Sequence, residues 1–255
     1  MTRIPFIIGH RGASREAPEN TLSAFQLAWE QGADGIELDL RLTLDGHIVC
    51  LHDETARRTA GHAIGVAGAA LAELRELDVG RWKGARWHRE RIPTLAEVLS
   101  LSPPEKHLFL EIKSGPEILP ALMQALAAHP AALERISFLA FSPLLIALLK
   151  RQLPQITACW LTDYRRCRVT GNVRPEQDEI LSLLADIGAD GLASKAHACL
   201  DAGFVTALRD GGFAVHVWTV DSAAVAHRYV ELGVDSIMTN RPGWLRAWLA
   251  RHHAT

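Results

Sequence analysis

Residues 35–53 read GIELDLRLTLDGHIVCLHD, an apolar strand that carries two carboxylates, Glu37 and Asp39. Residues two apart on a strand share a face, so both acids project one way while Ile36, Leu38 and Leu40 project the other. Charges in a strand this apolar are seldom buried without a partner or a metal. Asp45-Gly46 between two apolar runs is a strong short-range hairpin signal. With those two residues as the turn, Leu44 faces His47, Arg41 faces Cys50 and Asp39 faces His52. Directly opposed residues lie on one face of a hairpin, so Glu37, Asp39 and His52 are expected to converge.

The pattern outside this stretch supplies the fold class. Short apolar runs begin at residues 6, 35, 107, 135, 156, 190, 214 and 234, and helical spacing separates nearly every consecutive pair. Eight strands alternating with helices predict an α/β fold, a (β/α)8 TIM-type barrel. The return arm of the hairpin is then an extension above the second barrel strand. Residues 54–92 are richer in glycine and less periodic, and read as a small insertion after that strand. No linker, repeat or low-complexity segment interrupts the chain, so residues 1–255 are expected to form one domain.

Bulk properties narrow the function. Lys and Arg number 27 against 29 Asp and Glu, a formal net charge of −2, which gives no footprint for nucleic acid. The basic clusters at 81–91 and 165–168 read most simply as solvated surface. No apolar run reaches the ~18 residues of a membrane span, so no stable membrane insertion is expected. The apolar stretch near the N-terminus is too short for a secretory signal, which predicts a cytoplasmic protein. Cys50, Cys159, Cys167 and Cys199 lack paired spacing and are read as free thiols.

A barrel of this kind carries its active site at the C-terminal ends of its strands. His10-Arg11, Glu37 and Asp39, Glu111 and Lys113, Trp218-Thr219 and Thr239-Asn240 all fall there. Three carboxylates without thiolates suit one hard divalent cation, Mg2+ or Ca2+. Arg11 and Lys113 beside it suit an anion such as phosphate. His10 and His52 titrate near neutrality and can act as general base and acid. Together these point to metal-assisted phosphodiester cleavage without a covalent nucleophile. Plainer roles exist for some of these residues. Trp218 could equally be a core wall, Asn20 a helix cap, and Glu19 a first-turn acid favoured by the helix dipole.

The motifs also carry a resemblance. His10-Arg11-Gly12, Pro18-Glu19-Asn20-Thr21, the run from Gly32 through Asp39, Thr43-Leu44-Asp45-Gly46 and His52-Asp53 resemble the signature of the glycerophosphodiester phosphodiesterases, in order. Ile92-Pro93-Thr94-Leu95, Glu111-Ile112-Lys113, Phe141-Ser142, Trp218-Thr219-Val220 and Gly233-Val234-Asp235 extend it almost end to end. The resemblance implies a barrel that hydrolyses glycerophosphodiesters, as small-molecule substrates, to sn-glycerol 3-phosphate and an alcohol. It implies Glu37, Asp39 and Glu111 as metal ligands, His10 and His52 as the acid/base pair, Arg11 and Lys113 on the phosphate, and Trp218 on the glycerol side. A phospholipase-type phosphodiesterase acting on lysolipid headgroups is the alternative, and an exposed apolar rim would favour it. One departure is visible: the family usually ends its last strand in Thr-Asp, where this chain has Thr239-Asn240.

Overall fold

The computed structural model describes residues 4–166 and 171–252. Strand β1 (Phe6–His10) leads through helix α1 (Leu22–Glu30) to β2 (Gly35–Leu42) and its return arm β3 (Ile48–Cys50). The insertion contributes two short helices, α2 (Arg57–Ala60) and α3 (Leu71–Arg75), before α4 (Leu95–Leu101) and β4 (His107–Ile112). Alternation then becomes regular, with α5 (Leu119–Ala127), β5 (Ile136–Ala140), α6 (Pro143–Gln152) and β6 (Thr157–Thr162). A two-residue ribbon, β7 (Arg165–Arg166) with β8 (Val173–Arg174), precedes α7 (Gln177–Asp186) and β9 (Gly191–Lys195). The last units are α8 (Ala202–Asp210), β10 (Ala214–Trp218), α9 (Ala223–Glu231), β11 (Ser236–Thr239) and α10 (Pro242–His252).

Strands β1, β2, β4, β5, β6, β9, β10 and β11 are parallel neighbours in that order, and β11 pairs back onto β1. The sheet is thus a closed eight-stranded barrel, as the strand count predicts. Side chains alternate across it. Ile36, Leu38, Leu110, Ile112 and Phe138 pack outward against the helices in the main core. Ile8, Phe109, Leu139, Cys159, Leu161, Ala193 and Met238 form a separate cluster that fills the barrel. Residues two positions further along those inward faces reach the C-terminal mouth: His10, Glu111, Phe141 and Asn240.

Local chemistry explains the boundaries that carry the site. Thr21, not Asn20, caps α1, its hydroxyl accepting from the Ala24 amide. Thr94 and Glu97 form a reciprocal capping box at α4, which fixes the return from the insertion into the barrel. The insertion has its own small core of Val49, Leu51, Ala56, Val66, Leu74, Leu77, Val79 and Ile92. Because Val49 and Leu51 belong to the arm, arm and insertion are packed as one unit. Lys83 clamps this unit to the loop after β1 by donating to the Ser14 carbonyl at 2.6 Å.

The hairpin departs from its sequence reading by one residue. Leu40 pairs with Cys50, Arg41 with Val49 and Leu42 with Ile48, so the expected pairing of Arg41 with Cys50 does not form. The Thr43 amide donates to the His47 carbonyl, and Leu44, Asp45 and Gly46 make a three-residue loop, with Gly46 at φ +83°. A left-handed third residue is the usual way to close such a loop and suits glycine. Asp39 consequently faces Leu51, whose amide donates to the Asp39 carbonyl at 3.0 Å. His52 therefore is not the cross-strand partner of Asp39. The chain bends at 52–54, beyond the ladder, and that bend delivers the imidazole to the barrel mouth. Cys50 and Cys159 are free and buried and Cys199 is free and half-buried; Cys167, and Arg168 of the second basic cluster, lie outside the described residues.

Candidate active site

Strand register brings the acids together. Asp39 on β2 is the direct neighbour of Glu111 on β4, and His10 on β1 is the direct neighbour of Glu37 on β2. One carboxylate oxygen each from Glu37, Asp39 and Glu111 lies within 4.8 Å of the others, and all three residues are buried. Glu37 and Glu111 line a cavity of about 120 Å3 together with His10, Arg11, His52, Lys113 and Trp218, with Leu139, Leu161 and Met238 at its floor. Asp39 adjoins it through its ion pairs with Arg11 and Lys113. All eight residues singled out from sequence are thus gathered at one place.

The carboxylates are held by fixed partners. Glu37 Oε2 accepts from the Arg11 amide at 2.9 Å. Asp39 Oδ2 accepts from Asn20 Nδ2 at 2.7 Å, and the Asp39 amide donates back to Asn20 Oδ1 at 3.1 Å. Arg11 Nε lies 3.1 Å and Lys113 Nζ 3.3 Å from Asp39, and Lys113 also pairs with Glu111. Glu37 Oε1 and Asp39 Oδ1 are buried yet accept no hydrogen bond. An unpartnered Glu37 oxygen and an Asp39 oxygen reached only by the Lys113 ammonium at 3.3 Å, beside a third carboxylate, fit a hard divalent cation, whose ligands are oxygens.

Charge crowding separates these acids. Burial, then the Asp39 and Glu111 carboxylates, push Glu37 well above the usual carboxylate range. Burial and then Asp39 raise Glu111 to about 7, against the pull of Lys113. For Asp39 burial also acts upward, but Arg11 and Lys113 outweigh it and hold the group below its ordinary value.

Each histidine is oriented by a chain of polar contacts. His10 Nδ1 is 2.8 Å from Asn240 Oδ1, which also accepts from Ser14 Oγ at 2.7 Å. Asn240 Nδ2 donates to Asp221 Oδ2 at 2.6 Å, which leaves its carbonyl oxygen turned towards His10. That oxygen only accepts, so Nδ1 carries the proton and Nε2 is left open, 3.9 Å from Glu37. Burial, followed by the Arg11 charge, lowers His10 to about 4. His52 Nδ1 is 2.7 Å from Asp53, and Arg58 links Asp53 to Glu19, each at 2.7 Å. Glu19 in turn accepts from Arg11 at 2.8 Å. Burial lowers His52 as well.

These contacts revise several readings of single residues. Asn20 takes φ +56° and grips Asp39 instead of capping α1. Glu19 lies outside the helix and joins Arg11 to Arg58. The Asn240 departure does not leave a gap: the acid position is filled by an amide that positions His10 and is itself backed by Asp221. Asp53, Arg58, Ser14 and Asp221 had no assigned role in sequence, although His52-Asp53 stood in the motif. Trp218 is neither free nor pure core. Its Nε1 donates to the Ala193 carbonyl at 2.9 Å while its ring lines the cavity, edge-on to Phe141 at 5.8 Å.

Comparison with known proteins accords with this geometry. Residues 10–244 match the model of the glycerophosphoryl diester phosphodiesterase family. The chain belongs to that family. A glycerophosphodiester phosphodiesterase of Caldanaerobacter subterraneus subsp. tengcongensis is 32% identical over 246 residues, covering 92% of this chain and 94% of the relative. One from Bacillus subtilis is 28% identical, covering 92% of this chain and 83% of the relative. Among solved structures, an Oleispira antarctica phosphodiesterase in complex with its product sn-glycerol-3-phosphate superposes with TM-score 0.84 and 28% identity, over 96% of this chain and 97% of that one. As a glycerophosphodiester phosphodiesterase by family, the chain is a phosphoric diester hydrolase with the family's barrel. Among the described residues no helix is long and apolar enough to cross a membrane.

Proposed function

We propose that this chain hydrolyses glycerophosphodiesters to sn-glycerol 3-phosphate and an alcohol, using one divalent cation and two histidines. The observation that carries this reading is the trio of buried acids, two of whose oxygens accept no hydrogen bond, at a small cavity that two cations and two imidazoles also line. Glu37, Asp39 and Glu111 would hold Mg2+ or Ca2+. Bound there, a cation supplies Lewis-acid polarisation of a phosphoryl oxygen. Arg11 and Lys113 bind the phosphate and offset the charge that develops on its oxygens. His10, with its proton fixed at Nδ1 by Asn240, takes at Nε2 the proton of the water that attacks phosphorus. His52, held at Nδ1 by Asp53, returns one to the departing alkoxide. The Trp218 ring packs against the glycerol carbons and excludes water from that side.

The test begins with protein stripped of divalent ions. Glycerophosphocholine and glycerophosphoethanolamine are supplied with and without Mg2+ or Ca2+, and glycerol 3-phosphate is measured. Release should depend on the added ion. His10→Ala and His52→Ala should each lower kcat by about 10²–10⁴. Equal release by stripped and reloaded protein would sink the metal assignment, and near-wild-type turnover in either histidine variant would remove that residue from the pair.

A further inference from the structure

A second hollow adjoins the catalytic one. It measures about 610 Å3, against about 120 Å3 for the catalytic cavity, and the two share Phe141 and Leu161 as walls. The smaller volume lies below the roughly 300–1,000 Å3 typical of ligand pockets, and the larger lies within that range. A diester with any sizeable substituent therefore extends beyond the catalytic cavity, and the larger hollow across Phe141 is the space that adjoins it.

The chemistry of the second hollow selects what can lie there. Its remaining walls include Trp160, Pro175 and Leu183. The Trp160 indole nitrogen is spent on the Phe141 carbonyl at 3.0 Å, so that side chain offers only carbon surface. Two acids border the hollow, but Asp163 is paired with Lys195 at 2.9 Å and Glu179 with Arg174. A site for a quaternary ammonium would present an aromatic face without a nearby cation competing for its acids. Here each acid is already neutralised, and an exposed Arg165 adds positive charge at the edge. Phe141, the wall shared by the two hollows, is itself 45% exposed.

We infer that the hollow beyond Phe141 is a substrate subsite for an uncharged, apolar substituent of the glycerophosphodiester, which favours alkyl- or acyl-bearing diesters over choline- and ethanolamine-bearing ones. This rests on the reading of the catalytic cavity given above. The substituent could be carried by the departing alcohol or by the glycerol, and both sources present the same methylene chain to the same walls.

The reloaded enzyme is given two series below their micellar concentrations. In one, sn-glycero-3-phospho-n-alkanols run from methyl to octyl and glycerol 3-phosphate is measured. In the other, 1-acyl-glycerophosphocholines run from acetyl to octanoyl and 1-acyl-glycerol 3-phosphate is measured. In the series whose chain enters the hollow, kcat/KM should rise about threefold per added methylene over several methylenes. The octyl or octanoyl compound should then exceed glycerophosphocholine. Leu183→Trp, which fills the hollow from α7, should flatten that rise relative to the short-chain member of the same series. A flat response in both series, with glycerophosphocholine still hydrolysed, overturns the subsite and leaves the catalytic reading intact. No hydrolysis of any diester overturns the catalytic reading itself. The wild-type series decides the matter even where Leu183→Trp does not fold.

Discussion

Asn20 shows how a single side chain can hold a buried carboxylate in place. It is 2% exposed, and both ends of its amide are used on Asp39, one accepting and one donating. Asp39 is itself fully buried, so losing those contacts leaves a carboxylate without two of its fixed partners. Alanine at this position would also strain the backbone, because φ is +56°; glycine tolerates that value and isolates the hydrogen bonds. Asn20→Gly should therefore lower affinity for Mg2+ or Ca2+ about 10- to 100-fold, the usual cost of losing an outer partner of a metal ligand. Calorimetric titration of the stripped protein reads this directly. Wild-type affinity in the variant would mean that Asn20 does no more than shape its loop.

Among the elements, the arm and the insertion are the ones that couple packing to chemistry. β3 places Ile48 and Cys50 in the main core, while its neighbours Val49 and Leu51 belong to the insertion core. His52 follows immediately, so the position of one imidazole depends on how firmly residues 54–92 are packed. Leu74 on α3 is fully buried at the centre of that small cluster. Leu74→Ala should cost about 2–5 kcal/mol locally, from lost burial and the cavity left behind. Amide hydrogen exchange should accelerate across residues 48–92 while β4, β5 and β6 keep wild-type protection. Uniform acceleration through the barrel would instead mean that the insertion does not open by itself.

At the scale of the whole molecule, the buried imidazole of His216, outside the acid cluster, can report on closure of the barrel. His216 is 7% exposed, touches Ser236 across β10–β11 at 2.8 Å and meets Phe109 edge-on at 5.2 Å. Its Nε2 has no partner, and burial lowers it from 6.5 to about 4. Between those values the unfolded chain binds a proton that the folded chain refuses. Stability from this residue is thus complete above pH 6.5 and is lost as pH falls towards 4, by about 3 kcal/mol in total. Urea unfolding of His216→Gln should depend less steeply on pH in that window than wild type. Identical slopes would exclude His216 as the source.

Periodicity and turn residues alone determined the alternation of strands and helices, the closed eight-stranded order, and the delivery of His10, Glu37, Asp39, Glu111 and Lys113 to one end. Those features are legible because a strand's inward face repeats every second residue, whatever the strand packs against. The hairpin register was not legible: Asp45-Gly46 marks a turn, but it does not say whether two or three residues form the loop, and one residue moves every pairing. Nor were the partners of the site residues. Asn20 reaches Asp39, Asp221 reaches Asn240, and Arg58 joins Glu19 to Asp53, only because barrel closure brings distant loops over the same mouth. Sequence therefore determined which chemical groups arrive at the C-terminal end of the barrel. Tertiary structure decided which of them touch, since hydrogen bonds and ion pairs are made between loops whose separation in space no local pattern records.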